Sequence, residues 1–205
     1  GIPRSADYNG AVQEGVGYFQ RTIHKGRRMS AARAFLAPAR GRPNLDIRTE
    51  ASVSRILFDG KRASGVRYTR NGAVQDVSAR REVLLCGGAI ASPQILQVSG
   101  IGNPALLRDI NVPVTHALAG VGENLSDHYG VRLAARVRNA RTINERTRGL
   151  ALAGEVAKYL LLRKGVLAQS PGVALALCKS RPSLDQPDLQ VIFAPVSYKE
   201  DAAYQ

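Results

Sequence analysis

Residue types able to do chemistry are few and far apart in this 205-residue chain. Its three histidines are His24, His116 and His128, and no two lie close together in sequence. Acid–base work by an imidazole needs a partner group to set its tautomer and pKa. Only His128 has a candidate neighbour, Asp127, at the end of "ENLSDH", and a hydrogen bond that orders the loop accounts for that pair more readily than catalysis does. No serine or cysteine sits on a nucleophile elbow. Cys86 and Cys178 stand alone in apolar runs, without metal-ligand or redox spacing, and read as buried free thiols of a reducing compartment. No catalytic residue and no metal ligand can be assigned.

Glycine offers more. Three Gly-x-Gly pairs occur, in "GVGYFQ" (15–20), "GIGNPA" (100–105) and "GVGENL" (120–125). Only the second meets the looser dinucleotide pattern, and no strand precedes it, so none is a pyrophosphate loop. The densest stretch is "GGAIASPQILQVSGIG" (87–102), a short helix with glycines at both ends. Glycines so placed let the backbone come close to another segment or to a ligand. Before them, "EVLLC" (82–86) is apolar on both faces, as in a central strand of a sheet covered on both sides. Strand, Gly87-Gly88 turn and helix would aim free N–H groups and the positive helix end at whatever lies above the sheet edge. An ordinary tight βα turn is an equally fair reading of the same residues.

The surrounding elements must position that unit. "SAARAFLAP" (30–38) predicts a short helix capped by Ser30 and stopped before Pro38. Residues 44–88 alternate as strands do, with Asn71-Gly72 marking a type I′ hairpin and Asp59-Gly60 a second turn. Ser92 is expected to cap the glycine-flanked helix with Pro93 at its first position, and Gly100 to close it. Asn103-Pro104 repeats the device for "ALLRDI", and "GVGENLSDH" (120–128) is a loop. Beyond it, "YGVRLAARV" alternates like a strand. A helix is predicted over 144–165, with Leu150, Ala153, Ala157, Leu160 and Leu161 on one face and Gly165 at its end. "GVALALC" and "DLQVIFAP" are two further strands. The fold class is α/β up to about residue 128, then an α+β unit over 129–205 with antiparallel strands.

The net charge of +13 invites a nucleic-acid partner, but 23 of the 29 basic residues are arginines spread along the chain. Aromatic residues, at 5%, are too few for a base-stacking platform. No apolar run reaches the roughly 18 residues of a membrane span. The start, "GIPRSADYNG", has neither initiator Met nor signal-peptide character, which suggests that the chain begins inside a longer protein.

"GAIASPQILQVSGIG" (88–102) resembles the second signature of the glucose–methanol–choline flavoprotein oxidoreductases at Gly88-Ala89, Ser92-Pro93, Ile95-Leu96 and Ser99-Gly100-Ile101-Gly102. Residues 7–39, 44–68 and 120–131 look like the choline-dehydrogenase-like branch, and 180–195 like the start of its substrate-domain sheet. The resemblance implies part of a Rossmann-like FAD-binding domain (1–128) and part of a substrate domain (129–205) with an antiparallel sheet over the flavin. It implies that the glycines let the backbone approach FAD, that Val53 contacts the adenine end through its backbone, and that Gly87, Gly88, Ala89 and Ser92 line the cofactor cleft. The side chain of Val53, by itself, reads as ordinary strand packing. The implied activity of the complete protein is oxidation of a primary alcohol of choline type by hydride transfer to flavin, which an electron acceptor or oxygen then reoxidises. The family's pyrophosphate loop and active-site His match nothing here, so the chain alone is expected to be inactive. A hydroxynitrile lyase on the same scaffold is the alternative, and a basic nucleic-acid-binding module a remote one. Location is expected to be cytoplasmic, with a peripheral membrane association left open. Phe193 and Tyr198, on or beside the last strand, are pocket candidates.

Overall fold

The structure, a computed structural model, describes residues 1–197. In chain order it comprises β1 (Gly15–Tyr18), β2 (Ile23–His24), β3 (Arg27–Arg28), a π-helical turn (Ala32–Leu36) running into α1 (Ala37–Ala39), β4 (Ser52–Asp59), β5 (Arg62–Arg70) and β6 (Ala73–Ser78). Then follow α2 (Gly88–Val98), β7 (Ile101–Gly102), α3 (Pro104–Asp109), β8 (His116–Ala117), α4 (Ile143–Arg146), α5 (Gly149–Leu162), a 3-10 turn (Val166–Ala168), β9 (Ala174–Cys178) and β10 (Leu189–Phe193). Contacts divide them into two units, Asp46–Val131 and Gly1–Leu45 with Arg132–Gln205. The first 45 residues group with the C-terminal segment rather than with 46–128, because β1 pairs antiparallel with β9 (Gly15 opposite Leu177, Tyr18 opposite Ala174).

Unit 46–131 is built on the antiparallel meander β4-β5-β6. Both of its turns were legible. Asn71 (φ 51°) and Gly72 (φ 77°) take the positive φ values that a type I′ turn needs, and Gly60 (φ 58°) opens the two-residue loop joining Asp59 to Arg62. Ile56 and Tyr68 are buried on this sheet, and α2 packs against β4. Asn103 caps α3 as expected, its side chain accepting from the Ala105 N–H at 2.9 Å, and α3 buries Leu107 completely.

Several expectations fail in this unit. Residues 82–86 form no strand, Leu84 is 76% exposed, and Cys86 is an exposed thiol rather than a buried one. A central strand exists only through flanking strands, and none of the described residues pair with it. The helix begins at Gly88, with Gly87 as its N-cap, so Ser92 lies inside it and Pro93 in its second turn rather than at its start. Gly88 carries the turn instead, at φ 80°, a conformation that is strained for other residues.

Unit 1–45/132–197 centres on the antiparallel sheet β1-β9-β10, where Leu175 and Ala176 are buried. Both strands predicted over 172–195 are present. The helix at 32–39 runs through Pro38 instead of stopping before it, after a π turn in which the Ala37 N–H reaches the Ala32 carbonyl. The single helix expected over 144–165 is two. Thr142 and Glu145 form a reciprocal capping box for α4, and Gly149, at φ 52°, starts α5 afresh. Arg163, left-handed at φ 53°, caps the C-terminus of α5 two residues before Gly165. The leucine face of α5 points outward, with Leu150 and Leu161 93% and 81% exposed, whereas Glu155 on the other side is buried. Its carboxylate accepts from Arg146 Nε (3.0 Å) and from the Val166 N–H (3.0 Å), locking α4, α5 and the 3-10 turn together. Residues 129–137 form no strand and are exposed. Phe193 lies on β10, and Tyr198 lies outside the described residues.

Candidate functional site

The stretch 87–102 is held by one serine. Ser99 Oγ donates to the Ile95 carbonyl (2.6 Å) and accepts from the buried Ile56 N–H (2.8 Å), so α2 is fastened to β4 at its C-terminal end. The glycines just beyond it serve the chain itself. Gly100, at φ 87°, closes the helix with its N–H on the Gln97 carbonyl (2.9 Å). A Cβ there would lie 2.5 Å from the Pro113 carbonyl oxygen and from Thr115 Oγ1. That close approach lets Thr115 N and His116 N donate to the Gly100 carbonyl (2.8 and 3.1 Å) and Leu118 N to the Gly102 carbonyl (2.9 Å). Glycines at both ends were expected to admit another chain segment or a ligand, with only Gly87 and Gly88 lining the cofactor cleft. Gly100 makes room for residues 113–115, because a residue with a side chain could not lie this close, whereas a Cβ on Gly102 would meet the side chains of Gln97 (3.3 Å) and Leu107 (3.7 Å).

The N-terminal end of α2 differs. No side chain caps it, and a Cβ on Gly88 would meet nothing within 4 Å. At Gly87 a Cβ would press on Ala91 Cβ (3.2 Å) and Ser92 Oγ (3.3 Å), so glycine there keeps the first turn tight. Free N–H groups at the start of an eleven-residue helix carry its positive dipole end and leave room for an electron-rich group. Leu84 and Ile90, nearby in sequence, are exposed.

Val53 sits on β4 opposite Tyr68, at a register shift between Val53 and Arg55 that interrupts regular pairing. Its side chain is 38% exposed. Tyr68 below it is pinned: its hydroxyl donates to Gln75 Oε1 (2.6 Å) and accepts from Arg48. That hydrogen bond, ahead of Asp46, holds the Arg48 guanidinium even more firmly charged than usual. Val53, Gly87, Gly88, Ala89 and Ser92 thus belong to one unit, on β4 and on the helix that packs against it.

The histidines are not gathered. His24 is an exposed residue of β2, His116 contributes its backbone to β8, and His128 lies in irregular chain with its backbone N–H on Asp127 Oδ1 (2.7 Å). Among the described residues no imidazole has a hydrogen-bond partner, and no cluster of metal-ligating side chains occurs. Ser99 was missed as the fastener of the site. Its place just before Gly-x-Gly was the available signal.

An α/β chain with an open, glycine-started helix end beside a sheet has the character of a cofactor-binding fragment. The chain belongs to the GMC oxidoreductase family, whose model matches residues 1–130. It is 46% identical over 200 residues to an oxygen-dependent choline dehydrogenase of Ectopseudomonas mendocina, a match that covers 96% of this chain and 35% of that protein. An FAD-dependent oxidoreductase from Chaetomium thermophilum superposes with a TM-score of 0.70 at 29% identity, over 83% of this chain and 31% of that one. Pyridoxine 4-oxidase from Mesorbium loti does so with a TM-score of 0.71 at 26% identity, over 95% and 34%. The chain therefore spans about a third of the length of the relatives it matches.

Proposed function

We propose that this chain is the central part of an FAD-dependent oxidoreductase that oxidises a primary alcohol by hydride transfer. The observation that carries the reading is the 88–102 stretch, signature-like in sequence and open at its helix start. Gly87 and Gly88 would admit the cofactor to the backbone. Ala89 and Ser92 would line the cleft, and the backbone of Val53 would meet the adenine end. FAD, when bound, supplies the hydride acceptor. The positive end of α2 would stabilise electron density beside it.

The antiparallel sheet β1-β9-β10 is proposed as a wall of the substrate site, so that unit 46–131 serves the cofactor and this sheet the alcohol. The active-site base is expected outside this chain, and reoxidation would fall to an electron acceptor or to oxygen. The relatives' names support a small alcohol of choline type as the first substrate class to try. A cytoplasmic location is proposed, and no described helix is long and apolar enough to cross a membrane.

The test is a flavin absorbance spectrum during FAD titration, on this chain and on the full-length protein, followed by anaerobic addition of alcohols. Bleaching of bound flavin in the full-length protein is the expected outcome. Absence of flavin binding there would end the enzyme reading.

A further inference from the structure

The side of α5 that faces solvent is its apolar side. Leu150, Ala153, Gly154, Ala157 and Leu161 follow one another at the three- and four-residue steps that share one helix face, and all five are exposed. The opposite side holds the buried Glu155 and the half-buried Tyr159. A helix that packs onto its own domain by an apolar stripe has the reverse arrangement, so this face marks a contact with something apolar. At 14 residues the helix is about 21 Å long, too short to cross a bilayer core of about 30 Å. It is long enough to lie along the bilayer interface.

The fold gathers cations at one end of this face. β2 and β3 form a hairpin, with Ile23 opposite Arg28 and His24 opposite Arg27, and the Met29 N–H on the Thr22 carbonyl (2.8 Å) closes its base. Arg21, just before it, ties it to the chain that follows α5. Its Nη1 donates to Gln169 Oε1 (3.1 Å) and its Nη2 to the Gly172 carbonyl (3.3 Å). At the hairpin tip Gly26, at φ 69°, lies against the C-cap of α5, where a Cβ would come within 2.9 Å of Arg163 Cβ. Lys25, Arg27 and Arg28 therefore join Arg163 and Lys164, far away in sequence, in one cluster. Among the described residues none of the five forms an ion pair. The carboxylate of α5, on Glu155, is taken by Arg146 and the Val166 N–H. The negative end of the helix dipole accounts for Arg163 and Lys164, but not for a hairpin that adds three more cations.

We infer that the outward face of α5 and the hairpin beside it dock the protein peripherally on an anionic lipid surface. The leucines enter the acyl boundary, and the five cations meet the headgroups. Acyl chains match the apolar stripe, and acidic headgroups supply the counter-charge that the cluster lacks. A second copy of α5 would cover the leucines but bring five more cations without a counter-charge. The inference goes beyond the proposed reaction and does not depend on it. It agrees with the proposed location, because the cytoplasmic leaflet carries anionic lipid.

The test is co-sedimentation of the full-length protein with vesicles of phosphatidylcholine alone and of phosphatidylcholine with about 30% phosphatidylglycerol. Binding to the anionic vesicles should be at least about tenfold tighter, and should fall at least about tenfold between about 50 and about 500 mM salt. L150Q/L161Q should weaken it at least about tenfold, because both side chains leave water on docking. R27Q/K164Q, at about fivefold for each cation, should weaken it about twentyfold. Unfolding midpoints close to that of the unsubstituted protein are expected for both variants, and R27Q/K164Q decides alone if L150Q/L161Q does not fold. Equal binding to both kinds of vesicle, or full binding by R27Q/K164Q, would overturn the inference. So would a full-length protein that ignores vesicles and is unfolded by L150Q/L161Q, since the leucines would then be covered by the rest of its own chain. A dimer that L150Q/L161Q dissociates, without vesicle binding, would overturn it too and make the face a contact between copies.

Discussion

At the C-terminal end of α2, Gly100 has φ 87° and the backbone and side chain of 113–115 against its Cα; at the N-terminal end, Gly88 has φ 80° and empty space. The two glycines share a backbone conformation and differ in what lies beside them. At Gly100 glycine is needed twice, for its φ and for close chain packing. At Gly88 only φ demands it, and the room that a side chain would fill is left open. One glycine pattern can therefore combine a closely packed end and an open end within one helix.

The largest expected effect tests the closed end. Gly100→Ala adds a strained positive φ to an overlap with Pro113 and Thr115, and should cost about 3 kcal/mol in denaturant unfolding. Ser99→Ala should cost about 2 kcal/mol, because the buried Ile56 N–H loses its acceptor. Gly88→Ala should cost only about 1 kcal/mol, the strain of φ alone, while weakening FAD binding by the full-length protein. Equal stability losses for Gly88→Ala and Gly100→Ala would remove the distinction between the two ends. The smallest effect lies in the other unit. The Val166 N–H first, then Arg146, hold the Glu155 carboxyl below the usual carboxylate range. The unfolded chain therefore takes up that proton more readily, so the stabilisation is full above the ordinary carboxylate pKa and fades as pH falls through the folded value. Glu155→Gln should flatten the acid limb of a stability–pH curve, and an unchanged limb would show that the carboxylate plays no part in it.

The hairpins were legible because turn chemistry is local: Asn71-Gly72 and Asp59-Gly60 need no distant partner to dictate their shape. Asn103-Pro104 was legible for the same reason. The strand at 82–86 was not, since alternation and apolarity report what a segment would bury, and burial requires neighbours. The break between α4 and α5 was hidden in a helical pattern, where Gly149 looked like one weak helix residue and proved to be a positive-φ restart. The candidate site was half legible. Its residue types and spacing pointed to 87–102, but nothing in them separated the glycines that face outward from those that face Pro113.

The sequence by itself determined the hairpin turns, the Asn103 cap, the family and the stretch proposed for the cofactor site, because turn, cap and motif chemistry act over a few residues. Tertiary structure decided which segments share a unit, placing β1 beside β9 across more than 150 residues of chain. It also decided which end of α2 is closed, and how Arg21 came to be pinned by Gln169 and Gly172. Those outcomes depend on segments far apart in the chain meeting in space, and local spacing carries no record of such meetings.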